Sequence, residues 1–277
     1  MSAPKSILVH VDASEASRRR LQLAATLGRT FDADVTALYA VASLGAVYPF
    51  IYVIGNPESV AVVRDMEEAN QTAARKTFDE IAAGNDRLHW LAPTAEPLRT
   101  MVDQGRYADL LVLGQHDPAD PPQACLPAGF VESVLIDSGR PALIVPYVGV
   151  AETFGKVALV AWKNTRESAH ALSAALPFLR RCGRVHVASW DEGGCDAREA
   201  RLQVERYLGL HGIQITMHRR QATPESVGDS LLSLVADTST DLVVMGCYGH
   251  SRAREWVLGG ATRAILKSMT VPVLMAH

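Results

Sequence analysis

The stretch ADLLVLG at residues 108–114 recurs as TDLVVMG at residues 240–246, and this recurrence determines the predicted fold. A second match follows each copy, because SGRPALIVP at residues 138–146 corresponds to MTVPVLM at residues 269–275. Similarity at a nearly constant offset is typical of chains built from repeated structural units. The sequence therefore predicts two copies of one unit.

The N-terminal ends of the two copies also match, since Ser6–Val11 aligns with Lys156–Ala161. This alignment places the boundary near Val148–Val150 and predicts domains at residues 1–148 and 152–277. A chain of 277 residues is long enough for two domains of ordinary size, each with its own core.

Short β-branched runs alternate with amphipathic helical stretches in each copy, which is the pattern of βα units and a parallel sheet. We therefore predict two doubly wound, Rossmann-like α/β domains, each with five parallel strands. Ser14 is expected to cap a first helix that ends at Gly28, and the run Arg18–Arg20 on that helix is expected to face solvent. The strands are predicted at residues 6–11, 34–40, 87–92, 109–113 and 141–146, and at 157–161, 184–189, 213–218, 241–245 and 271–276.

One connection differs between the copies, because residues 43–85 replace a much shorter segment at residues 191–211. The longer connection carries the apolar, aromatic stretch Tyr48–Tyr52, followed by a helix predicted near residues 58–83. Two roles for the aromatic stretch remain open: it covers a crevice, or it packs against the other copy.

Bulk composition excludes several classes of protein. Acidic and basic residues nearly balance at a formal net charge of −3, so no preference for nucleic acid or an anionic membrane is expected. No run approaches the ~20 apolar residues of a membrane span, and the N-terminus is too short for a signal peptide. The cysteines form no C-x-x-C pair, which argues against a zinc site and a disulfide framework. We expect a cytoplasmic protein without a metal centre.

A glycine-rich segment follows the predicted strand at residues 241–245. Gly246 and Gly249 come directly after the strand, and Gly259 and Gly260 open a helix after nine further residues. Glycines let the backbone turn sharply and approach a ligand closely. The free N–H groups and the dipole of a helix N-terminus favour an anion. The spacing predicts a phosphate cradle, with the Thr262 hydroxyl as a further donor.

This G-x2-G-x9-G-G pattern resembles the loop of ATP-binding universal stress proteins, and the whole chain resembles the tandem form of that family. The resemblance implies adenine nucleotide alpha hydrolase-like domains, a role in the stress response and unidentified protein partners. It also implies ATP, with or without Mg²⁺, between the ends of strands one and four of a domain. The site residues that it implies in the second copy are Gly246, Gly249, His250, Gly259, Gly260, Ala261 and Thr262, with Trp162 and Lys163 after strand one.

Members of this family pair through their last strand. Because both copies lie in one chain here, the resemblance implies an intramolecular pseudo-dimer of the two domains. A homodimer of the whole chain is the alternative.

The second copy departs from the family pattern at two positions. Gly260 stands where the family usually has Ser or Thr, and no carboxylate follows the first strand, where Trp162 and Lys163 occur. In the first copy Asp12 matches that carboxylate, which reaches the ribose or the base in the family. Lys163 can instead pair with phosphate, and Trp162 either stacks on a base or packs in the core.

The first copy keeps the carboxylate after strand one but departs from the family pattern in the loop after strand four. Its segment Gly114–Asp117 lacks the second glycine, and prolines at residues 118–122 remove N–H donors. Acidic residues such as Glu132 would also repel phosphate. We expect protein, in the form of the 118–122 loop or the aromatic stretch, to occupy this crevice, leaving Asp12 as a capping or solvated carboxylate.

Two functions fit these observations. The first is a sensor that binds an adenine nucleotide in the second copy, and the second is an interaction module of the same fold without nucleotide. An enzyme is not expected beyond slow ATP hydrolysis or self-phosphorylation, because no nucleophile–base pair is visible. Cys247 is either a thiol activated by a helix N-terminus or a small side chain that fills the loop.

Overall fold

The computed structural model describes residues 3–43, 57–117, 126–127, 129–150, 154–190, 195–221, 226–247 and 260–277. Contacts between residues divide the chain into two compact units, residues 4–140 and residues 141–277, and the second unit also includes residues 1–3. Within the described ranges, no helix combines the length and the apolar composition that crossing a membrane requires. The predicted roles of Tyr48–Tyr52 and of the loop at residues 118–122 concern residues outside these ranges.

The described residues of the first unit form four parallel strands in the order β3-β2-β1-β4. They are β1 (Ser6–Val11), β2 (Asp34–Tyr39), β3 (Leu88–Leu91) and β4 (Leu110–Gly114). The helices described in this unit are α1 (Glu15–Phe31), α2 (Pro57–Ala82), α3 (Pro97–Gly105) and α4 (Phe130–Ser138). Strand order reverses between β1 and β4, so the carboxyl ends of these two strands form the switch point at which open sheets bind ligands.

In the described ranges of the second unit, six strands follow the order β5-β10-β9-β6-β7-β8. They are β5 (Ala142–Val145), β6 (Val157–Trp162), β7 (Arg184–Ser189), β8 (Thr216–Arg219), β9 (Leu242–Gly246) and β10 (Val273–Ala276). The described helices are α5 (Arg166–Leu179), α6 (Cys195–Leu210), α7 (Val227–Asp237) and α8 (Gly260–Ser268). The switch point of this unit lies between β6 and β9. The predicted α/β class with mostly parallel strands is confirmed.

Strand β5 belongs to the first sequence repeat but to the second compact unit. It pairs with β10 in antiparallel register, with Ile144 opposite Val273 and Ala142 opposite Met275, and all four of its residues are buried. This pairing of last strands is the one that the predicted pseudo-dimer needs. The domain boundaries at residues 148 and 152 follow the sequence repeat and stay a prediction, as does the pseudo-dimer.

Helix α1 continues one turn beyond its predicted end at Gly28. It ends at Phe31, where Asp32 adopts the left-handed conformation with φ of 55° and its N–H bonds to the Gly28 carbonyl. A Cβ added at Gly28 would lie 2.6 Å from Cγ2 of Val35. The glycine therefore serves the close packing of α1 on β2, and the prediction that it ends the helix was wrong.

Hydrogen bonds at the strand beginnings correct the predicted alignment of the repeats by one residue. The Asp109 N–H donates to the Ser6 carbonyl at 2.9 Å, and the Asp241 N–H donates to the Val157 carbonyl at 2.9 Å. Ser6 therefore corresponds to Val157 and not to Lys156. The first helices agree with this offset, because Ser14 and Thr165 cap α1 and α5 in the same way.

The last helix and strand of each repeat match with a different offset. Buried positions coincide along α4 and α8 when Val131 is matched with Thr262 and Val134 with Ile265. The same offset carries β5 onto β10. These two alignments allow the switch points of the repeats to be compared residue by residue.

Candidate functional site

A buried polar cluster fills the switch point of the first unit. The Arg20 guanidinium reaches it from α1, where Nε donates to the His10 carbonyl at 2.7 Å and Nη2 donates to Oδ2 of Asp12 at 2.9 Å. The Arg20 and Asp12 side chains are 2% and 3% exposed. The prediction that the arginine run faces solvent was wrong for Arg20, because a carboxylate and a carbonyl inside the unit compensate its burial.

Asp12 is a buried carboxylate that bonds within the protein, and it neither caps α1 nor faces solvent. Its Oδ1 accepts a hydrogen bond from the Ser14 N–H at 2.7 Å, while its Oδ2 accepts from Arg20. Burial alone would raise the pKa of Asp12, but the Arg20 guanidinium lowers it, and His10 and Ser14 add to that effect, so the net shift is downward. Asp12 is therefore ionised and engaged within the protein.

His10 lies beside this ion pair as a neutral ring. Burial, and next the Arg20 charge, lower the pKa of His10 to about 4. Its Nε2 lies 2.9 Å from the Ala40 carbonyl and its Nδ1 lies 3.4 Å from Nη2 of Arg20. A carbonyl only accepts and a guanidinium only donates, so we assign the proton to Nε2.

Phe130 and Gly114 complete the filled switch point. The Phe130 ring, at the start of α4, lies 5.2 Å from the His10 ring, and Phe130 is 5% exposed. A Cβ on Gly114, at the end of β4, would lie 2.2 Å from Nη1 of Arg20. His10, Arg20 and Phe130 thus occupy the switch point of this unit, while the predicted loops lie outside the described residues.

Alanine stands at each equivalent position in the second unit. His10 corresponds to Ala161 and Arg20 to Ala171, and the offset of the last helix places Ala261 opposite Phe130. Ala171 is buried, and Ala161 and Ala261 are half-buried. An alanine ends at Cβ, so the space that three large side chains fill in the first unit is not taken by these residues.

Two glycines border the second crevice. A Cβ on Gly246, at the end of β9, would lie 2.5 Å from the Ser168 nitrogen, so this glycine lets the start of α5 approach the strand. Gly260 is exposed in the first turn of α8, and Thr262 is buried one residue after the half-buried Ala261. The other predicted loop residues, Gly249, His250 and Gly259, lie outside the described residues.

The corrected alignment places Lys163 at the position of Asp12. Lys163 directly follows β6 and is exposed. Nearby, the carboxylate of Glu167 is buried and bonds to Arg166. Burial alone would raise the pKa of Glu167, but the Arg166 hydrogen bond lowers it.

Two tryptophans lie at the same edge of the sheet. Trp162 is half-buried, and its Nε1 has no hydrogen-bond partner among the described residues. Sequence reasoning missed Trp190, which follows β7 and donates from Nε1 to the Ser230 hydroxyl of α7 at 2.8 Å. Because Trp162 pairs with Ser189, Trp190 is level with Lys163 across two adjacent strands. An aromatic residue directly after a predicted strand is the signal that could have indicated it.

The Cys247 thiol is not activated. Burial raises its pKa to about 12, and the Glu167 charge contributes to the same direction. A thiol with that pKa stays protonated at neutral pH and is a poor nucleophile. Of the two alternatives for Cys247, the structure favours a small buried side chain.

Comparisons with known proteins agree with the fold. The model of the universal stress protein family matches residues 4–145 and 156–277. Over 46 residues the chain is 37% identical to universal stress protein Slr1230 of Synechocystis sp. (strain ATCC 27184 / PCC 6803 / Kazusa), a stretch that covers 17% of this chain and 16% of that protein's length.

Two crystal structures share the fold along nearly the whole chain. A universal stress protein from Archaeoglobus fulgidus DSM 4304 is similar with a TM-score of 0.74 at 18% identity, covering 99% of this chain and 96% of that one. The functionally unknown protein PA1789 from Pseudomonas aeruginosa PAO1 gives a TM-score of 0.59 at 16% identity, covering 99% and 92%.

Proposed function

This chain belongs to the universal stress protein family, in its tandem form, and we propose that its second repeat binds ATP or a related adenine nucleotide at the carboxyl ends of β6 and β9. In this proposal the protein acts in the stress response as a nucleotide sensor. Its first repeat holds no nucleotide.

The observation that carries the proposal is the exchange of three large side chains for alanine. In the first unit, His10, Arg20 and Phe130 are 2%, 1% and 5% exposed, so three large side chains are buried at the switch point. The equivalent alanines of the second unit border the point where strand order reverses, which is where open α/β sheets bind ligands. The three alanines therefore do not fill the second switch point as the large side chains fill the first.

The chemistry of the bordering residues fits a nucleotide. Gly260 begins α8, whose first N–H groups and dipole favour phosphate. Lys163 adds a cation, and the half-buried Trp190 ring offers a face on which a base can stack. Among the described residues no three His, Cys, Asp or Glu side chains come together to hold a metal. Any Mg²⁺ would therefore enter on the phosphates of the nucleotide.

A pair of matched substitutions tests the proposal. Ala261→Phe should place in the second crevice the ring that Phe130 places in the first, and we expect it to abolish nucleotide binding. Phe130→Ala should cost roughly 3–5 kcal/mol of stability, as large-to-small changes in a core do, but leave the dissociation constant within about threefold. Calorimetric titration with Mg-ATP and ADP measures both. Unaltered binding in Ala261→Phe, or lost binding in Phe130→Ala, would show that the proposal assigns the site to the wrong repeat.

Because α8 packs closely on Gly228 of α7, misfolding is a second possible cause of lost binding in Ala261→Phe. Another variant separates the two causes. Gly260→Asp adds a carboxylate at an exposed helix N-terminus, where aspartate is tolerated but repels phosphate. We expect at least about a tenfold loss of affinity at unchanged thermal stability. If the wild-type protein releases no adenine nucleotide on denaturation and shows no thermal shift with Mg-ATP, the interaction module without nucleotide becomes the better interpretation.

A further inference from the structure

We propose that His186 and His218 together bind one divalent transition-metal ion, with a preference for Cu²⁺, on the two outer strands of the second unit. The inference goes beyond the proposed function and does not depend on it. Neither histidine borders the switch point between β6 and β9, because His186 lies in the middle of β7 and His218 lies in β8.

The strand register brings the two imidazoles to one face of the sheet. His186 pairs with Thr216 and Ala188 pairs with His218, so both histidines point to the same side. Nε2 of His218 lies 3.0 Å from Nδ1 of His186, and the ring centres are 5.0 Å apart. Because one of these two nitrogens must accept the hydrogen bond, at least one ring is neutral and directs a lone pair at the other.

This separation suits two ligands of one metal ion. Bonds between a metal ion and an imidazole nitrogen are ~2.0–2.1 Å long, and two such bonds at a right angle hold their nitrogens ~3 Å apart. A right angle is typical of the tetragonal coordination by N and O ligands that Cu²⁺ adopts, and Cu²⁺ also binds such ligands most tightly. An ion that enters displaces the bridging proton to solvent, and small rotations of the rings then direct both lone pairs at it.

No second hydrogen bond from the described residues fixes the proton on His186. Its Nε2 is buried and has no partner among them. The tautomer of a histidine is set by the bond that its other nitrogen makes, so here the proton can reside on Nε2 and leave Nδ1 as a ligand. His218 is half-buried on the outermost strand, so part of the pair is accessible from solvent.

The pairing of the outer strands does not itself require two imidazoles. The registers match His186 with Thr36 and His218 with Leu91 in the first unit, where the two outer strands pair in the same parallel manner. The histidine pair is therefore a property of the second repeat. The cysteine spacing that argued against a zinc site carries no information on two histidines 32 residues apart.

Charges near the pair limit how tightly a cation binds. Burial, followed by His218 and Arg184, lowers the pKa of His186, and burial followed by Arg220 lowers the pKa of His218. Neutral rings are what ligation requires, but the two guanidinium groups also repel a cation. Asp237 compensates part of the Arg220 charge at 3.9 Å. Because water must complete the coordination of the ion, we expect an exchangeable ion and not a structural metal centre.

The experiment uses Cu²⁺ itself as the probe. We expect sub-stoichiometric Cu²⁺, added to the full chain in a non-coordinating buffer, to broaden the NMR amide signals of β7 and β8 before those near other histidines. In calorimetric titrations, His218→Gln should lower the affinity of the tightest site at least about tenfold, because one of its two protein ligands is lost. Arg184→Gln should raise that affinity about threefold, because one repelling charge is removed.

His89→Gln is the matched control, because it makes the same change on the outermost strand of the first unit, and it should keep the wild-type affinity. Broadening centred away from β7 and β8, or equal affinities of His218→Gln and wild type, would overturn the inference. Arg184 is exposed, so its variant tests the site even if His218→Gln does not fold. An unchanged or lower affinity in Arg184→Gln would also contradict the inference.

Discussion

The Arg20 guanidinium lies inside the first unit because acceptors surround it on the adjacent strand. It bonds to the His10 carbonyl and to Asp12, and its Nη1 occupies the space left by the missing side chain of Gly114. Helical spacing places Arg20 on the apolar side of α1, four and seven residues before Ala24 and Leu27. What the sequence does not show is the partner of the buried charge, because the fold alone brings the end of β1 against α1.

Breaking this ion pair should be costly. Arg20→Met leaves the Asp12 carboxylate buried without its partner, and we expect the free energy of unfolding to fall by about 3–5 kcal/mol in urea titrations. The double variant Asp12→Asn/Arg20→Met should recover part of that loss, because no unpaired charge remains. Arg29→Met, an exposed change on the same helix, should stay within about 0.5 kcal/mol of wild type. A similar small effect of Arg20→Met would mean that the guanidinium is not buried in solution.

The pKa of His10 makes the stability of the protein depend on pH. Its folded pKa of about 4 lies below the ordinary value of 6.5, so the unfolded chain takes up a proton first as pH falls. The contribution of His10 to the free energy of unfolding is fully present above pH ~6.5 and is lost as pH falls toward ~4. Between pH 7.5 and 5 we expect the free energy of unfolding to decrease by about 2 kcal/mol.

His10→Gln should remove this contribution, because glutamine keeps a donor for the Ala40 carbonyl but does not titrate. The measurement is the free energy of unfolding in urea at pH 7.5 and at pH 5, in wild type and variant. His89→Gln, at an exposed position, is the control and should retain the wild-type dependence. An identical decrease in His10→Gln and wild type would contradict the assignment of the neutral ring.

The repeated motif from which the fold was predicted has a structural role at the level of strands. The Asp241 carboxylate at the start of β9 accepts from the N–H groups of Gly155, Lys156 and Val157, at 3.0, 3.0 and 3.1 Å. In the first repeat, Asp109 accepts from Lys5 and Ser6 at 2.8 and 3.1 Å. Each aspartate therefore ties the beginning of its strand to the beginning of the first strand of its repeat.

Removing these carboxylates should destabilise the two repeats unequally. Asp241 is buried and bonds to three N–H groups, whereas Asp109 is exposed and bonds to two. We expect Asp241→Ala to lower the free energy of unfolding by more than about 2 kcal/mol, and Asp109→Ala by less. Asp237→Ala, an exposed aspartate at the end of α7, is the control and should be nearly neutral. The measurement is urea unfolding. Equal losses of unfolding free energy in Asp241→Ala and Asp109→Ala would show that burial does not determine how much each carboxylate contributes to stability.

Elements with a strong local pattern could be predicted from the sequence, and those that depend on tertiary context could not. Strands such as β1 and β9 are continuous apolar runs, and their bounds agree with the prediction to within one residue. The outermost strand, β8, begins at Thr216 and not near residue 213, because its exposed and half-buried residues carry little apolar signal. Gly28 was predicted to end a helix because glycine usually does, but here it is needed for packing on Val35.

At the scale of the whole molecule, the two repeats share a fold and differ in what their switch points contain. The candidate site could be predicted in outline, because the glycine spacing in the second repeat and its absence in the first are visible in the sequence. The filling of the first crevice could not, because His10, Arg20 and Phe130 come from three separate segments and meet only in the folded unit. A one-residue error in the alignment also hid the correspondence of Asp12 and Lys163.

The antiparallel pair of β5 and β10 has a consequence for biosynthesis. Ile144 leaves the ribosome 129 residues before its partner Val273. At ~5–20 residues per second, β10 is translated roughly 6 to 25 s after β5, and until then it cannot cover the edge of β5. That edge belongs to four consecutive apolar residues, Ala142–Val145, and an unpaired edge of this kind attracts other strands. Until β10 has been translated, the exposed edge of β5 is therefore a site at which the nascent chain can aggregate.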